Sequence, residues 1–119
     1  EVSKFLLDRV SVCESGGIDR KKILIDPGFG FGKKLEHNLS LFHGLTELSE
    51  LGFPLVVGLS RKSMIGSILN KPIDERLFGS VTFAILAVQK GAQILRVHDV
   101  SATADAFKIL SAVEGTGNI

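Results

Sequence analysis

The sequence predicts an α/β fold, with parallel strands covered on both faces and helices between them. Three observations carry this. The segments Lys22-Ile23-Leu24-Ile25-Asp26, Pro54-Leu55-Val56-Val57-Gly58-Leu59-Ser60 and Ala92-Gln93-Ile94-Leu95-Arg96-Val97-His98 are short, nearly continuous aliphatic runs, the pattern of strands buried on both sides rather than half-exposed ones. The stretches between them repeat their apolar residues at intervals of three and four, as helices packed on one face do. Asp26, Lys62 and His98 stand at or just past the three strand ends, each 36 residues after the one before. Evenly spaced polar groups at successive strand C-termini are what a TIM (β/α)₈ barrel produces, because its loops gather side chains around one mouth. A full barrel takes roughly 250 residues, and this chain has 119. The expectation is therefore a partial barrel: residues 1–119 as the C-terminal three βα units of a single domain, with the first five units absent. An open three-stranded domain complete in itself is the alternative, but it would leave two strand edges unprotected. The first residue, Glu1, leads directly into helical pattern, in keeping with a piece of something longer.

In chain order, Val2, Phe5, Leu6, Val10 and Cys13 share one helical stripe that ends at Gly16-Gly17, where glycine can take the left-handed conformation that stops a helix. After the first strand, Leu41, Leu45, Leu48 and Leu51 mark a second helix, closed by Gly52 and Pro54. The second strand runs into a short helix over residues 63–69. A loop at Asn70-Lys71-Pro72 follows, then a long helix over residues 75–90 ending at Gly91. Residues 77–88 of that helix are apolar around most of their circumference, so one face should meet the sheet and the other a second surface, such as another subunit. After the third strand, Ser101 can cap a last helix through Phe107, Ile109, Leu110 and Val113, fraying at residues 115–117.

Composition excludes several function classes. With 14 basic and 13 acidic residues the net charge is +1, and no block of Lys and Arg supplies the concentrated positive field that a nucleic-acid or membrane-surface partner requires. Cys13 is the single cysteine, so neither a disulfide framework nor a cysteine zinc site can be built within the chain. No apolar run is long enough to span a membrane, and no signal-peptide pattern is visible. A cytoplasmic location is expected.

Asp26 precedes Pro27-Gly28 at a sharp turn, which makes a turn-forming aspartate the plain reading. The adjoining Gly28-Phe29-Gly30-Phe31-Gly32-Lys33 shifts the balance, since phenylalanines on a glycine-rich loop lack shielding unless a ligand or partner covers them. The loop matches neither the phosphate-loop nor the dinucleotide fingerprint. A flat aromatic ligand, its ring N–H groups read by the carboxylate, suits it better. Ser60-Arg61-Lys62-Ser63 places two cations at a helix start, where they oppose the dipole unless an anion or electron-rich ligand offsets them. Arg96 and His98 lie two apart on one strand face, and charge within an apolar strand demands a partner. That partner is either an internal ion pair, with Asp26 the natural candidate for Arg96, or a phosphate gripped at the barrel mouth. His37, His43, Cys13 and Met64 read as surface or packing residues.

Ile25-Asp26-Pro27-Gly28-Phe29-Gly30-Phe31-Gly32-Lys33, Gly58-Leu59-Ser60-Arg61-Lys62-Ser63 and Arg96-Val97-His98-Asp99, in this order and spacing, together resemble the dihydropteroate synthase family over essentially the whole chain. The resemblance implies a (β/α)₈ barrel of folate biosynthesis, the target of sulfonamides. Its reaction joins 6-hydroxymethyl-7,8-dihydropterin pyrophosphate to 4-aminobenzoate and releases pyrophosphate. It further implies that Asp26, Lys62, Phe31 and Gly58 bind the pterin, with Asp26 and Lys62 catalytic. Phe31, Ser60 and Lys62 would border the aminobenzoate, and Arg96 and His98 would hold the pyrophosphate. The helices after the last three strands would form a homodimer interface. Mg²⁺ is the implied cofactor, with its ligands expected in the absent N-terminal part and none in this segment, so the chain alone is expected to be inactive. Two other readings stand beside this one: a pterin-binding methyltransferase-type barrel, against which the Ser60–Ser63 turn counts, and a non-catalytic dimerisation module.

Overall fold

The computed structural model describes residues 2–29 and 34–117. Three parallel segments lie side by side in chain order. Ile25 pairs with Leu55, donating its N–H to Pro54 O (3.0 Å) and accepting from Val56 N–H (2.8 Å). The middle segment, β1 (Val56–Val57), pairs in turn with β2 (Ile94–Leu95), in the register Val56 to Ile94 and Val57 to Leu95. The order matches the expectation from the apolar runs, but the ladders are shorter than those runs. Lys22 belongs instead to a 3-10 turn over Arg20–Lys22, where the Asp19 carboxylate accepts the Lys21 N–H. Pro54 has no N–H to give to a ladder. At the other end, Gly58 is crossed by the Arg96 side chain.

Among the described residues, six α-helices surround these strands. α1 (Val2–Ser15) stops where Gly17 adopts φ +93°. Val10 of its stripe is buried and Leu6 and Cys13 pack against the core, whereas Phe5 is 63% exposed. The single helix expected through Leu41–Leu51 is two, α2 (Leu35–His43) and α3 (Leu45–Ser49), broken at Gly44. Its leucine stripe still faces inward, with Leu45 and Leu48 fully buried. α4 (Ser63–Leu69) falls where the spacing placed it and ends on left-handed Asn70. The long helix is shorter at its start: a 3-10 turn at Ile73–Glu75 precedes α5 (Leu77–Gln89). α6 (Val100–Gly117) begins before Ser101, which lies inside the helix, and Asp99 O accepts the Thr103 N–H and hydroxyl at its first turn.

The core lies between the strands and α2–α4, built around Leu55, Leu45, Ile65, Val57 and Phe29. Phe29 corrects the reading of the glycine-rich loop. It is 1% exposed, with its ring 5.9 Å from that of Phe42, and is therefore a core residue that needs no ligand to cover it. Of α5, Ser80, Ala84 and Ala87 are buried while Phe78 is 79% exposed. The described residues form a slab of 43 × 41 × 21 Å with a radius of gyration of 15.5 Å, against about 13.5 Å for a compact globule of this length. Among them, no helix is long and apolar enough to cross a membrane.

Candidate ligand site at the strand ends

The C-terminal ends of the three parallel segments deliver Asp26, the Gly58–Lys62 turn and the Arg96–His98 segment to one side of the sheet. Asp26 serves two purposes at once. Its Oδ1 accepts the Gly28 N–H at 2.9 Å, closing the turn around Pro27, and its Oδ2 accepts from Arg96 Nη2 at 2.9 Å. Both the turn-forming reading of Asp26 and the ion-pair reading of Arg96 are thus realised in the fold. The pair is open to solvent, with the Arg96 side chain 56% and that of Asp26 32% exposed. A guanidinium carries five N–H donors in a planar fork, so Arg96 can hold Asp26 and a further anion together.

Gly58 makes this geometry possible. A Cβ there would stand 2.8 Å from Arg96 Nη2 and 3.0 Å from Nε, so only a residue without a side chain lets the guanidinium lie flat across the strand end toward Asp26. Ser60, buried at 8% exposure, ties the second strand end to the third: its Oγ accepts the His98 backbone N–H at 3.1 Å and lies 2.9 Å from His98 Nδ1. Lys62 reaches back to the first strand end, its Nζ donating to Phe29 O at 2.8 Å. Gly58, Ser60, Lys62, Arg96, Val97 and His98 line an open cleft of about 280 Å³.

Of the residues singled out from the sequence, Asp26, Gly58, Ser60, Lys62, Arg96 and His98 are therefore brought together, and Phe31 lies outside the described residues. His37 and His43 are exposed and away from the cleft, Cys13 is half-buried, and Met64 is packed in the core. Among the described residues, no three His, Cys, Asp or Glu side chains converge on one point.

Sequence reasoning missed the fate of Arg61. Its charge is not waiting for a ligand: Nη2 donates to Asp99 Oδ1 at 2.5 Å and Nε to Oδ2 at 3.3 Å. The hydrogen bond from Arg61 holds the Asp99 carboxyl below its ordinary range, with the nearby charges of Arg61 and His98 adding to the effect. The same bond raises Arg61. A signal for the pair was present, since Asp99 is the sole acidic residue between Glu75 and Asp105 and sits next to His98 at the strand end.

The arrangement can bind a planar, hydrogen-bond-donating ring at Asp26 and an anion at Arg96 and His98, with Lys62 lining the same cleft. Residues 1–98 match the pterin binding enzyme family. A dihydropteroate synthase of Haemophilus influenzae is 51% identical over 112 residues, which cover 94% of this chain and 41% of that protein. Two structures of Xanthomonas albilineans dihydropteroate synthase, one in complex with 7,8-dihydropteroate and one with 4-aminobenzoic acid, superpose with TM-scores of 0.93 at 47% identity. Each match takes in 95% of this chain, and 44% and 42% of the respective structures. The chain spans about two fifths of the length of these relatives. Strand-end geometry, family match and similarity over nearly the whole chain lead to one conclusion: the chain belongs to the pterin binding enzyme family.

Proposed function

We propose that this chain is the C-terminal sector of a dihydropteroate synthase barrel, contributing three βα units and their share of the active-site mouth. The reaction is condensation of 6-hydroxymethyl-7,8-dihydropterin pyrophosphate with 4-aminobenzoate to give 7,8-dihydropteroate and pyrophosphate. The observation that carries the reading is the convergence of Asp26, Lys62, Arg96 and His98 at the ends of three parallel strands. The ligands named for the Xanthomonas albilineans structures support the choice of substrates.

Asp26 and Lys62 contact the pterin in this reading, with Gly58 giving it room, while Ser60, Lys62 and Phe31 border the aminobenzoate. As the C–O bond to pyrophosphate breaks, negative charge grows on the leaving oxygen, and Arg96 binds that charge more strongly than it binds the ground state. Ser60 Oγ accepts the His98 backbone N–H and lies 2.9 Å from His98 Nδ1; with the hydroxyl proton given to Nδ1, the ring N–H stands on Nε2 and serves a phosphate oxygen. The Asp26 carboxylate stabilises the electron-poor pterin. The aminobenzoate nitrogen then forms the new C–N bond and loses a proton, a step that needs position more than a strong base.

In the same reading two copies assemble through the helices that follow the strands, covering Phe78, Leu86, Ile68 and Leu69, all exposed in the single chain. The enzyme works in the cytoplasm, is inhibited by sulfonamides, and draws its Mg²⁺ ligands from elements outside this sector. The test is pyrophosphate release from the dihydropterin substrate, measured with the full barrel and with the 119 residues alone. Release that depends on 4-aminobenzoate, by the full barrel only, is expected. A full barrel that releases none overturns the proposal.

A further inference from the structure

The turn that carries Ser60 and Lys62 is built on Arg61, a residue with a side chain held at φ +56°, in the left-handed region that normally favours glycine. Both backbone groups of Arg61 are held by side chains from the α5 side of the molecule. Its N–H donates to the buried Ser80 Oγ at 2.8 Å, and its carbonyl accepts from Arg76 Nη1 at 3.0 Å. Arg76 Nη1 also reaches Lys62 O at 3.4 Å, and its Nε donates to Lys71 O at 2.9 Å. The Arg76 guanidinium fills the space beside Gly66 of α4, where a Cβ would overlap it. Neither Arg76 nor Ser80 lines the cleft. The left-handed turn directs Ser60 Oγ onto His98 and Lys62 Nζ onto Phe29 O in the same conformation.

We infer that Arg76 is a positioning residue for Lys62: it holds the carbonyls of Arg61 and Lys62 from outside the cleft, in a space kept open by Gly66, with Ser80 bracing the other side of the turn. This rests on the proposed function, because Lys62 matters as a ligand-binding group only there. Gly66→Ala offers an unusual test. Alanine is the better helix former, and the atom it would strike is the far end of a flexible side chain. The variant should therefore stay folded, its gain in helix propensity offsetting part of the hydrogen bonds lost with the Arg76 contact, and melt within a few degrees of wild type. In the full barrel, calorimetric titration with 6-hydroxymethylpterin should show Gly66→Ala and Arg76→Met binding about tenfold more weakly, the loss of one charge-assisted hydrogen bond. Arg76→Lys, which keeps one donor, should recover part of that. In a Lys62→Ala background Arg76→Met should cost less than about twofold, because the two act through one group. Wild-type affinity in both Gly66→Ala and Arg76→Met overturns the inference alone, as does a full loss on top of Lys62→Ala. A wild-type barrel with no pterin affinity overturns the proposed function, and this inference with it.

Discussion

Gly58→Ala probes the site through a single methyl group. The new Cβ would stand 2.8 Å from Arg96 Nη2, 3.0 Å from Nε and 3.3 Å from Cζ, where ordinary contact begins at 3.4 Å, so the guanidinium must retreat by about 0.6 Å. Nη2 now donates to Asp26 Oδ2 at 2.9 Å, and a retreat of that size takes the pair to the edge of hydrogen-bonding distance. The backbone itself tolerates alanine, since Gly58 is not among the glycines with positive φ, and Arg96 moves easily because its head is exposed. The folded state should therefore change by no more than about 0.5 kcal/mol. Binding should not escape so lightly. A charge-assisted hydrogen bond contributes about 1.5–3 kcal/mol, and at this solvent-open site the lower end applies, which is about a tenfold weaker complex. Paired calorimetric titrations of wild-type and Gly58→Ala full barrel with a non-hydrolysable dihydropterin pyrophosphate analogue give the ratio directly, and thermal melts of the same samples give the stability change. Equal affinities would refute the claim that Gly58 exists to seat Arg96 against Asp26. A large loss of stability would show that the methyl group acts on the fold instead.

Other perturbations have equally definite signs. Leu55 is fully buried between the two flanking segments, so Leu55→Ala should cost about 2–5 kcal/mol in urea unfolding. Arg20 lies 4.0 Å over the Phe53 ring, and Arg20→Ala should cost about 0.5–1 kcal/mol, with Arg20→Lys retaining part of it. Asp99 titrates below its ordinary value of 3.8 because Arg61 favours its charged form. Its contribution is thus complete above the unfolded carboxyl's pKa and disappears as pH falls through the lower folded value. Asp99→Asn should melt below wild type near neutrality, and the two melting curves should converge at pH values under about 4. A gap that stays constant with pH would contradict that assignment.

The aliphatic runs located the strands, but the burial on both faces expected from them holds only for the middle segment: Leu24 of the first is 52% and Ile94 of the third 39% exposed, and the polar residues of the site follow where those runs end. Asp26, Lys62 and His98 were legible for that reason. Helix boundaries were less so. The break at Gly44 leaves the leucine spacing of Leu41, Leu45 and Leu48 intact, so a periodic pattern cannot reveal it. The extension of α6 back to Val100 depends on the Asp99 carbonyl, which no side-chain pattern reports. Phe29 was misread because a ring flanked by glycines looks unshielded in one dimension, whereas in the fold Phe42 comes to meet it from α2. Arg61 was misread for a related reason: its pairing with Asp99 spans 38 residues, and its left-handed backbone is held by Ser80 and Arg76, whose contribution exists only in three dimensions.

The measurement that bears most directly on the central claim is a crystal structure of the full barrel with a pterin and pyrophosphate bound. The account predicts ring nitrogens of the pterin within hydrogen-bonding distance of the Asp26 carboxylate, the Lys62 Nζ alongside the ring, and phosphate oxygens on Arg96 and His98 Nε2. A pterin seated elsewhere on the molecule, with neither Asp26 nor Arg96 in contact with it or with the pyrophosphate, would contradict it.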